Sequence, residues 1–260
     1  MDNIELSSLI PASRQEYILE ILRREKAVSV AQLAKRLSIN EATIRRDLNR
    51  IEKSGLITRT YGGAVLTEGL DSEIPLQIRE SENAEPKRCL ARLAAECIQD
   101  GDSIFLDSSS STEFIIPLMK RRKNLKIVTN GAKHAVMLST LTDSVMYCTG
   151  GKLREHSLSY AGHAAAQALS AFHFGKAFIS CRSLSMEEGL TDSCDEEAAL
   201  RQIVIRHSQQ TYLLADHSKL DQVSFFHIAP ASCLYALITD LPPSKSWADF
   251  AADNGIRLLY

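Results

Sequence analysis

Ile39-Asn40-Glu41-Ala42-Thr43-Ile44-Arg45-Arg46-Asp47-Leu48 is the stretch on which the fold turns. It joins a helix start to an apolar stripe and a cationic opposite face. Asn40 suits an N-cap, because its side-chain oxygen can accept from the free N–H groups of the first turn, and Glu41 suits the positive end of the helix dipole. Ile44, Leu48 and Ile51 follow at i, i+4 and i+7, one apolar face. At about 100° per residue from Ile44, Arg46 falls at roughly 200°, Lys53 at roughly 180°, Ala42 at roughly 160°, Asn49 at roughly 140° and Arg50 at roughly 240°. The outward face therefore carries guanidinium, ammonium and amide groups around one small residue. Such groups read guanine, adenine and phosphate edges in a DNA major groove, and Ala42 leaves room for close approach.

An ordinary amphipathic surface helix would share that pattern, so the neighbours decide. Arg14 to Arg24 places Tyr17, Ile18, Ile21 and Leu22 on one face. Val30 to Leu37 repeats the pattern behind a Ser29 cap. Only Ser38, Ile39 and Asn40 separate this second helix from the third, the short turn of a helix-turn-helix. Gly55 can supply a left-handed C-cap, and Leu56 to Tyr61 followed by Gly62-Gly63 reads as a hairpin or wing. Helix-turn-helix shapes also serve as protein-interaction modules; charge favours DNA. Residues 13–62 hold 11 Lys and Arg against 6 Asp and Glu, a net of +5, whereas the whole chain is −2. That is a small basic reading head on a neutral-to-acidic body. The expected DNA contacts are Ser29, Lys35, Glu41, Ala42, Thr43, Arg45, Arg46, Asn49 and Arg50, with Arg59 and Tyr61 from the wing. Arg46 and Asn49 are expected on bases, Arg59 and Tyr61 on phosphate or the minor groove.

Thr43-Ile44-Arg45-Arg46-Asp47-Leu48, then Gly55-Leu56-Ile57 and Arg59-Thr60-Tyr61-Gly62-Gly63-Ala64, resemble the DeoR/GlpR-type family of bacterial transcriptional regulators, and the similarity continues to the C-terminus. The resemblance implies an N-terminal winged helix-turn-helix that binds operators. It also implies a sugar-phosphate-sensing domain related in fold to ribose-phosphate and glucosamine-phosphate isomerases.

Length allows two domains, a head over residues 12–67 and a body over residues 87–260 large enough for a substantial core. Residues 68–86 read as a linker, with Gly69, Pro75 and Pro86 as breakers and an acidic cast from Asp71, Glu73, Glu80, Glu82 and Glu85. A hydrophobic content of 45% with 24% charged residues is ordinary for a globular chain, and no apolar run is long enough for a membrane helix. Met1-Asp2-Asn3-Ile4-Glu5 lacks the cationic start of a signal peptide, so a soluble, cytoplasmic chain is expected. Six cysteines show no Cys-x-x-Cys pair, and the seven histidines are scattered; reduced thiols and no metal or other cofactor are expected.

Beyond Pro86 helices and strands alternate. Helices are expected over 87–99, 113–121, 132–141, 164–171, 196–207 and 246–253. Strands are expected over 103–107, 125–129, 144–148, 177–180, 210–215, 234–239 and 256–259. Apolar, β-branched strands alternating with helices mean a mostly parallel α/β sheet. In open sheets of this kind ligands sit beyond the carboxyl ends of the strands. Those loops hold Asp107, Ser108, Ser109, Ser110, Ser111 and Thr112, then Thr129 and Asn130, then Gly150, Gly151, Lys152 and Arg154, and finally Asp216 and Lys219. Hydroxyls, glycine amides and cations suit an anion such as a phosphate, although each loop taken singly suits helix capping equally well.

The family's phosphate turn commonly reads Leu-Asp-x-Gly-Thr-Thr. Here Leu106-Asp107-Ser108-Ser109-Ser110-Ser111-Thr112 has serine in place of the glycine. Val128-Thr129-Asn130, Thr149 to Arg154, Gly189-Leu190-Thr191 and Asp216-His217-Ser218-Lys219 match. Ser180-Cys181-Arg182-Ser183-Leu184 replaces a glycine-rich turn, and Arg182 suits either a ligand anion or an ion pair with Glu187 or Glu188. The expected partners are double-stranded operator DNA, a phosphorylated sugar effector and further copies of the chain in a homodimer or homotetramer. A repressor of a carbohydrate-utilisation operon follows. The other reading is a sugar-phosphate isomerase with an accessory DNA-binding domain, using Asp107, Asp216 and His217 as acid and base.

Overall fold

The computed structural model describes residues 11–25, 27–53, 56–60, 62–66, 76–141 and 143–260, in two compact units, Met1–Glu82 and Asn83–Tyr260. The first unit runs α1 (Pro11–Glu25), β1 (Ala27–Ser29), α2 (Val30–Leu37), α3 (Glu41–Glu52), β2 (Ile57–Thr60), β3 (Gly63–Leu66) and α4 (Leu76–Ser81). Ser29 closes a capping box with Gln32 at the head of α2, and Asn40 Oδ1 accepts from Thr43 N–H at 2.9 Å at the head of α3. Between them Ser38 takes a left-handed φ of 55° and donates its N–H to Ala34, which turns the chain from one helix into the next. Ile18, Leu22, Leu33, Leu37, Ile44, Leu48 and Ile51 are fully buried together, each removal from water contributing about 1.5–3 kcal/mol.

β2 and β3 form the expected wing, and β1 adds a third strand in the order β1-β3-β2. Three residues are too few to show a strand period, so β1 is invisible in the sequence. Gly63 sits opposite Ser29; a Cβ there would lie 2.1 Å from the Val28 carbonyl oxygen, so the close approach of β3 to β1 requires glycine. Gly55 and Tyr61 lie outside the described residues, as does most of the first half of the 68–86 stretch. Its second half is helical: α4 packs on α1 and buries Leu76. Pro86, taken as a breaker, stands in the first turn of the next helix, where its missing N–H costs nothing.

The second unit is built on a seven-stranded parallel sheet. Its elements are α5 (Ala84–Glu96), β4 (Ser103–Leu106), α6 (Ser110–Glu113), β5 (Lys126–Thr129), α7 (Ala132–Leu138), β6 (Val145–Cys148), β7 (Lys152–Arg154), β8 (Ser159–Ala161), α8 (His163–Ser170) and β9 (Phe174–Ile179). Then come β10 (Ser183–Ser185), β11 (Gly189–Asp192), α9 (Asp195–Arg206), β12 (Ser208–Leu214), β13 (Phe226–Ala229), β14 (Ala236–Ile238), α10 (Lys245–Asp253) and β15 (Arg257–Leu259). The strand order is β15-β14-β12-β9-β4-β5-β6. Ile104, Leu106, Ile127, Phe178, Tyr212 and Leu214 face one core with α5 and α7. Phe105, Val128, Ala177, Ile179 and Leu213 face the other with α8, α9 and α10. Both faces are covered, which is why these strands read as unbroken apolar runs.

Two expectations need correction. The helix expected over 113–121 is the four-residue α6 and a separate 3-10 segment, Ile116–Arg121, with Pro117 at its start; a proline cannot donate into an α-helical ladder. The sequence also concealed a hairpin, β7-β8, and an antiparallel sheet of order β10-β11-β13.

Candidate functional site

On the first unit, α3 presents Glu41, Ala42, Arg45, Arg46, Asn49 and Arg50 to solvent, and Lys35 of α2 is exposed beside them. Its inner face carries a group the sequence did not single out. Asp47 is buried and accepts from Arg14 Nε at 2.5 Å and Nη2 at 3.2 Å, with Gln15 Nε2 at 3.3 Å. This bidentate pair pins α3 to α1 and so fixes the direction in which the cationic face points. Some expected contacts are engaged internally. The Ser29 hydroxyl serves the α2 capping box, and Arg45 pairs with Glu41 at 2.6 Å across one helical turn. Arg59 departs furthest from expectation. It folds back from the wing onto α3, donating from Nη1 to Asn49 Oδ1 and to the Arg45 carbonyl, and from Nε to the Gly63 carbonyl.

On the second unit the strand order defines a switch point. From β4 the chain moves outward through β5 to β6, then returns to β9 on the other side of β4 and continues outward through β12, β14 and β15. The crevice of such a sheet opens where the order reverses, between the carboxyl ends of β4 and β9. Asp107 follows β4 and Ser180 follows β9.

Asp107 is an internal clamp. Ser109 N–H and Thr112 Oγ1 donate to its Oδ1 at 3.0 and 2.9 Å, and Ser180 N–H and Arg201 Nε donate to Oδ2 at 2.8 and 3.2 Å. Burial pushes this carboxyl up, but the Arg201 guanidinium and the hydrogen bonds from Ser109 and Ser180 outweigh it, holding it below the usual carboxylate range. Arg201 also meets Asp192 at 2.8 Å and Glu197 at 3.5 Å. Burial opposes its charge, yet Asp192 and Asp107 prevail, so it is held cationic more firmly than an ordinary arginine.

The rest of the serine turn divides by role. Ser109 caps α6, accepting from Thr112 N–H at 3.3 Å. Thr129 Oγ1 accepts from Gly131 N–H, and Ser108 Oγ accepts from Asn130 Nδ2 at 3.3 Å. Ser110 is buried. Ser111 Oγ, Asn130 Oδ1 and Asp216 Oδ2, at the ends of β4, β5 and β12, are buried without a hydrogen-bond partner within the protein.

The cations divide too. Lys219 points into the crevice, its Nζ 2.8 Å from Ser180 Oγ. Asp216 feels burial first, which raises it, but Lys219, Ser218 and the buried Lys87 bring it below the usual carboxylate range. Lys87, buried near the start of α5, was missed; an ionisable residue on the apolar face of the expected helix was its signal. Lys152 is 72% exposed and 3.5 Å from Glu196. Arg154 is turned onto Glu196 and Glu197 at 3.3 and 3.2 Å, in an ion-pair network. Gly150 and Gly151, with φ of 62° and 112°, form the turn into that hairpin. A Cβ at Gly151 would meet the Ala161 carbonyl at 2.7 Å. Arg182 is exposed, its N–H bonded to the Thr191 carbonyl. Among the described residues no cluster of His, Cys, Asp and Glu could hold a metal, and no helix is long and apolar enough to cross a membrane.

A winged helix-turn-helix and a parallel α/β unit with a polar crevice at its switch point define a two-domain transcription regulator. Residues 14–69 match the DeoR-like helix-turn-helix domain and residues 82–241 the DeoR C terminal sensor domain; the chain belongs to the DeoR family of transcriptional regulators. It is 37% identical over 232 residues to the uncharacterized regulator YulB of Bacillus subtilis, covering 89% of this chain and 90% of that one. It is 32% identical to the transcriptional repressor GlcR of the same organism, over 93% of both chains. The glycerol-3-phosphate regulon repressor of Escherichia coli is 29% identical over 94% of this chain and 97% of its own. A solved ribose 5-phosphate isomerase of Methanocaldococcus jannaschii overlays 54% of this chain and 55% of its own at a TM-score of 0.40 and 16% identity, too remote to speak for chemistry.

Proposed function

We propose that the chain represses a carbohydrate-utilisation operon, binding its operator through α3 and the wing and releasing it when a phosphorylated sugar occupies the crevice of the second unit. One observation carries the effector reading: Ser111 Oγ, Asn130 Oδ1 and Asp216 Oδ2 are buried and unpartnered along the same sheet edge, where each such group costs about 1–3 kcal/mol. β5 and β12 stand three strand spacings apart, roughly 14 Å. Acceptors spread over several strand ends suit a phosphorylated sugar rather than bare phosphate. Asn130 and Asp216 would accept from sugar hydroxyls, while Lys219 and the serine hydroxyls would take the phosphate. Repression is in keeping with the names of the GlcR repressor and the glycerol-3-phosphate regulon repressor, and the second of these names a phosphorylated polyol.

The isomerase alternative needs a free base. Asp107 is held ionised and fully engaged by Ser109, Thr112, Ser180 and Arg201, which suits a strut and not a proton acceptor. That alternative therefore rests on Asp216, whose Oδ2 is unpartnered, and on His217, exposed and bonded through Nδ1 to Asp240 at 2.8 Å, and an assay for sugar-phosphate turnover decides it. A homodimer or homotetramer fits the single recognition helix per chain, since such helices read paired half-sites; light scattering on the free and DNA-bound chain measures the copy number.

The test is fluorescence anisotropy with the chain's own promoter duplex and a panel of phosphorylated and free sugars. Tight binding that weakens steeply with salt, and release by one phosphorylated sugar but not its free form, is expected. Equal affinity for random duplex, or turnover of a sugar phosphate that depends on Asp107 or His217, would overturn the reading.

A further inference from the structure

We propose that Arg59 is a positioning residue that turns the donating end of Asn49 toward its base, an inference that rests on the assignment of α3 to the operator groove. Arginine carries donors and no acceptor. The Asn49 atom it meets through Nη1 is therefore Oδ1, and Nδ2 is the end left for a partner. The clamp is fixed from several sides. Arg59 Nε donates to the Gly63 carbonyl at 3.2 Å, Nη1 also reaches the Arg45 carbonyl at 3.4 Å, and its own N–H donates to Glu52 Oε1 at 2.9 Å. The guanidinium thus ties the wing to the middle of α3 and is aimed along the helix surface at Asn49.

An asparagine with both ends free reads adenine by accepting from N6 and donating to N7. With Oδ1 turned onto the Arg59 guanidinium, Nδ2 is the end of Asn49 turned toward the base. Its targets become groove-edge acceptors, of which guanine offers two, O6 and N7, and adenine N7 and thymine O4 one each. The family pattern Arg59-Thr60-Tyr61-Gly62-Gly63 then has a physical use: the small Gly63 brings its carbonyl and β1 close enough to hold the arginine.

The experiment selects duplexes from a randomised pool with the full-length wild-type chain, then compares binding of the selected duplex and its single-base variants by the wild type and by Arg59→Ala, Arg59→Lys and Asn49→Ala. At the position whose preference Asn49→Ala abolishes, the wild type should favour guanine, the base with two acceptors on its major-groove edge. Arg59→Ala should shift that one position toward adenine by about fivefold or more, the scale of one base contact. Arg59→Lys, which retains one donor, should stay nearer the wild type and serves as the second variant if Arg59→Ala lowers the melting temperature. In the Asn49→Ala background Arg59→Ala should change no base preference. A uniform loss across all duplexes with a salt slope reduced by about one charge would make Arg59 a phosphate contact and overturn the proposal, as would an unchanged profile. A pool from which the wild type enriches nothing would instead overturn the assignment of α3 to DNA.

Discussion

Arg201 gathers Asp107 from the β4 turn, Asp192 from the end of β11 and Glu197 from its own helix around one buried guanidinium. Removing one partner of a buried charge set leaves the others uncompensated, typically at 3–5 kcal/mol. Arg201→Met should lower the stability of the second unit by about that much, read as a fall in its denaturant midpoint; an unchanged midpoint would show that the clamp is solvated. The pH dependence has a definite sign. Asp107 and Asp216 are depressed below the ordinary 3.8, so their contribution is full above that value and fades as pH falls through the lower folded values. In Arg201→Met the leading cation opposing the burial of Asp107 is gone, so the gap between its folded and unfolded values narrows and its share of the acid destabilisation should shrink. The thiols supply a second test. Burial pushes Cys181 up to about 12 and Cys233 to about 11, whereas Cys148 is exposed; a thiol reagent should label Cys148 in the folded chain and Cys181 only on unfolding. Arg201 went unread because Asp107, the carboxylate it clamps at the β4 turn, lies 94 residues away. A legible trace existed: Glu197, Arg201 and Val204 recur at i, i+4 and i+7 on the buried face of α9, where charges stand only when paired.

At the scale of elements, legibility followed length and burial. α3 declared itself because cap, apolar stripe and cationic face coincide within one helix, and the central strands because burial on both faces makes them uniformly apolar. β1, β7, β8 and β10 have three residues each, too few to show a local period, and β1 pairs with a strand, β3, that lies beyond two helices in the sequence. The wing depends on one such hidden partner. Since a Cβ at Gly63 would lie 2.1 Å from Val28 O and 2.8 Å from Ser29 Cα, both backbone, Gly63→Ala must push β3 away from β1. Overpacking of this kind costs about 1–3 kcal/mol or more. It should also release the Gly63 carbonyl from Arg59, so operator affinity should fall together with head stability. Calorimetric melting should show the N-terminal transition moving and the C-terminal one standing; a displaced C-terminal transition would refute this placement of the strain.

For the whole molecule, the switch point converts a chain of local motifs into one site, and only the strand order reveals which loops share it. The sequence placed Asp107, Asn130, Lys152 and Asp216 together as carboxyl-end loops; the crevice lies between β4 and β9, which brings Ser180 and Lys219 inward and leaves Lys152 on an exposed hairpin beside Glu196. The two lysines, equivalent in the sequence, therefore separate in position. Lys219→Ala removes the cation from the crevice and should abolish the response to a phosphorylated sugar while leaving operator binding intact, because α3 and the wing belong to the other compact unit. Lys152→Ala removes an exposed ion-pair partner, worth about 0–1 kcal/mol, and should shift the effector concentration for half-release by less than about fivefold. Ligand-induced release can be no larger than the difference in sugar affinity between DNA-competent and incompetent states. Calorimetry with each variant, free and operator-bound, measures that difference directly. An equal loss of response in Lys152→Ala and Lys219→Ala would show that the hairpin closes over the effector.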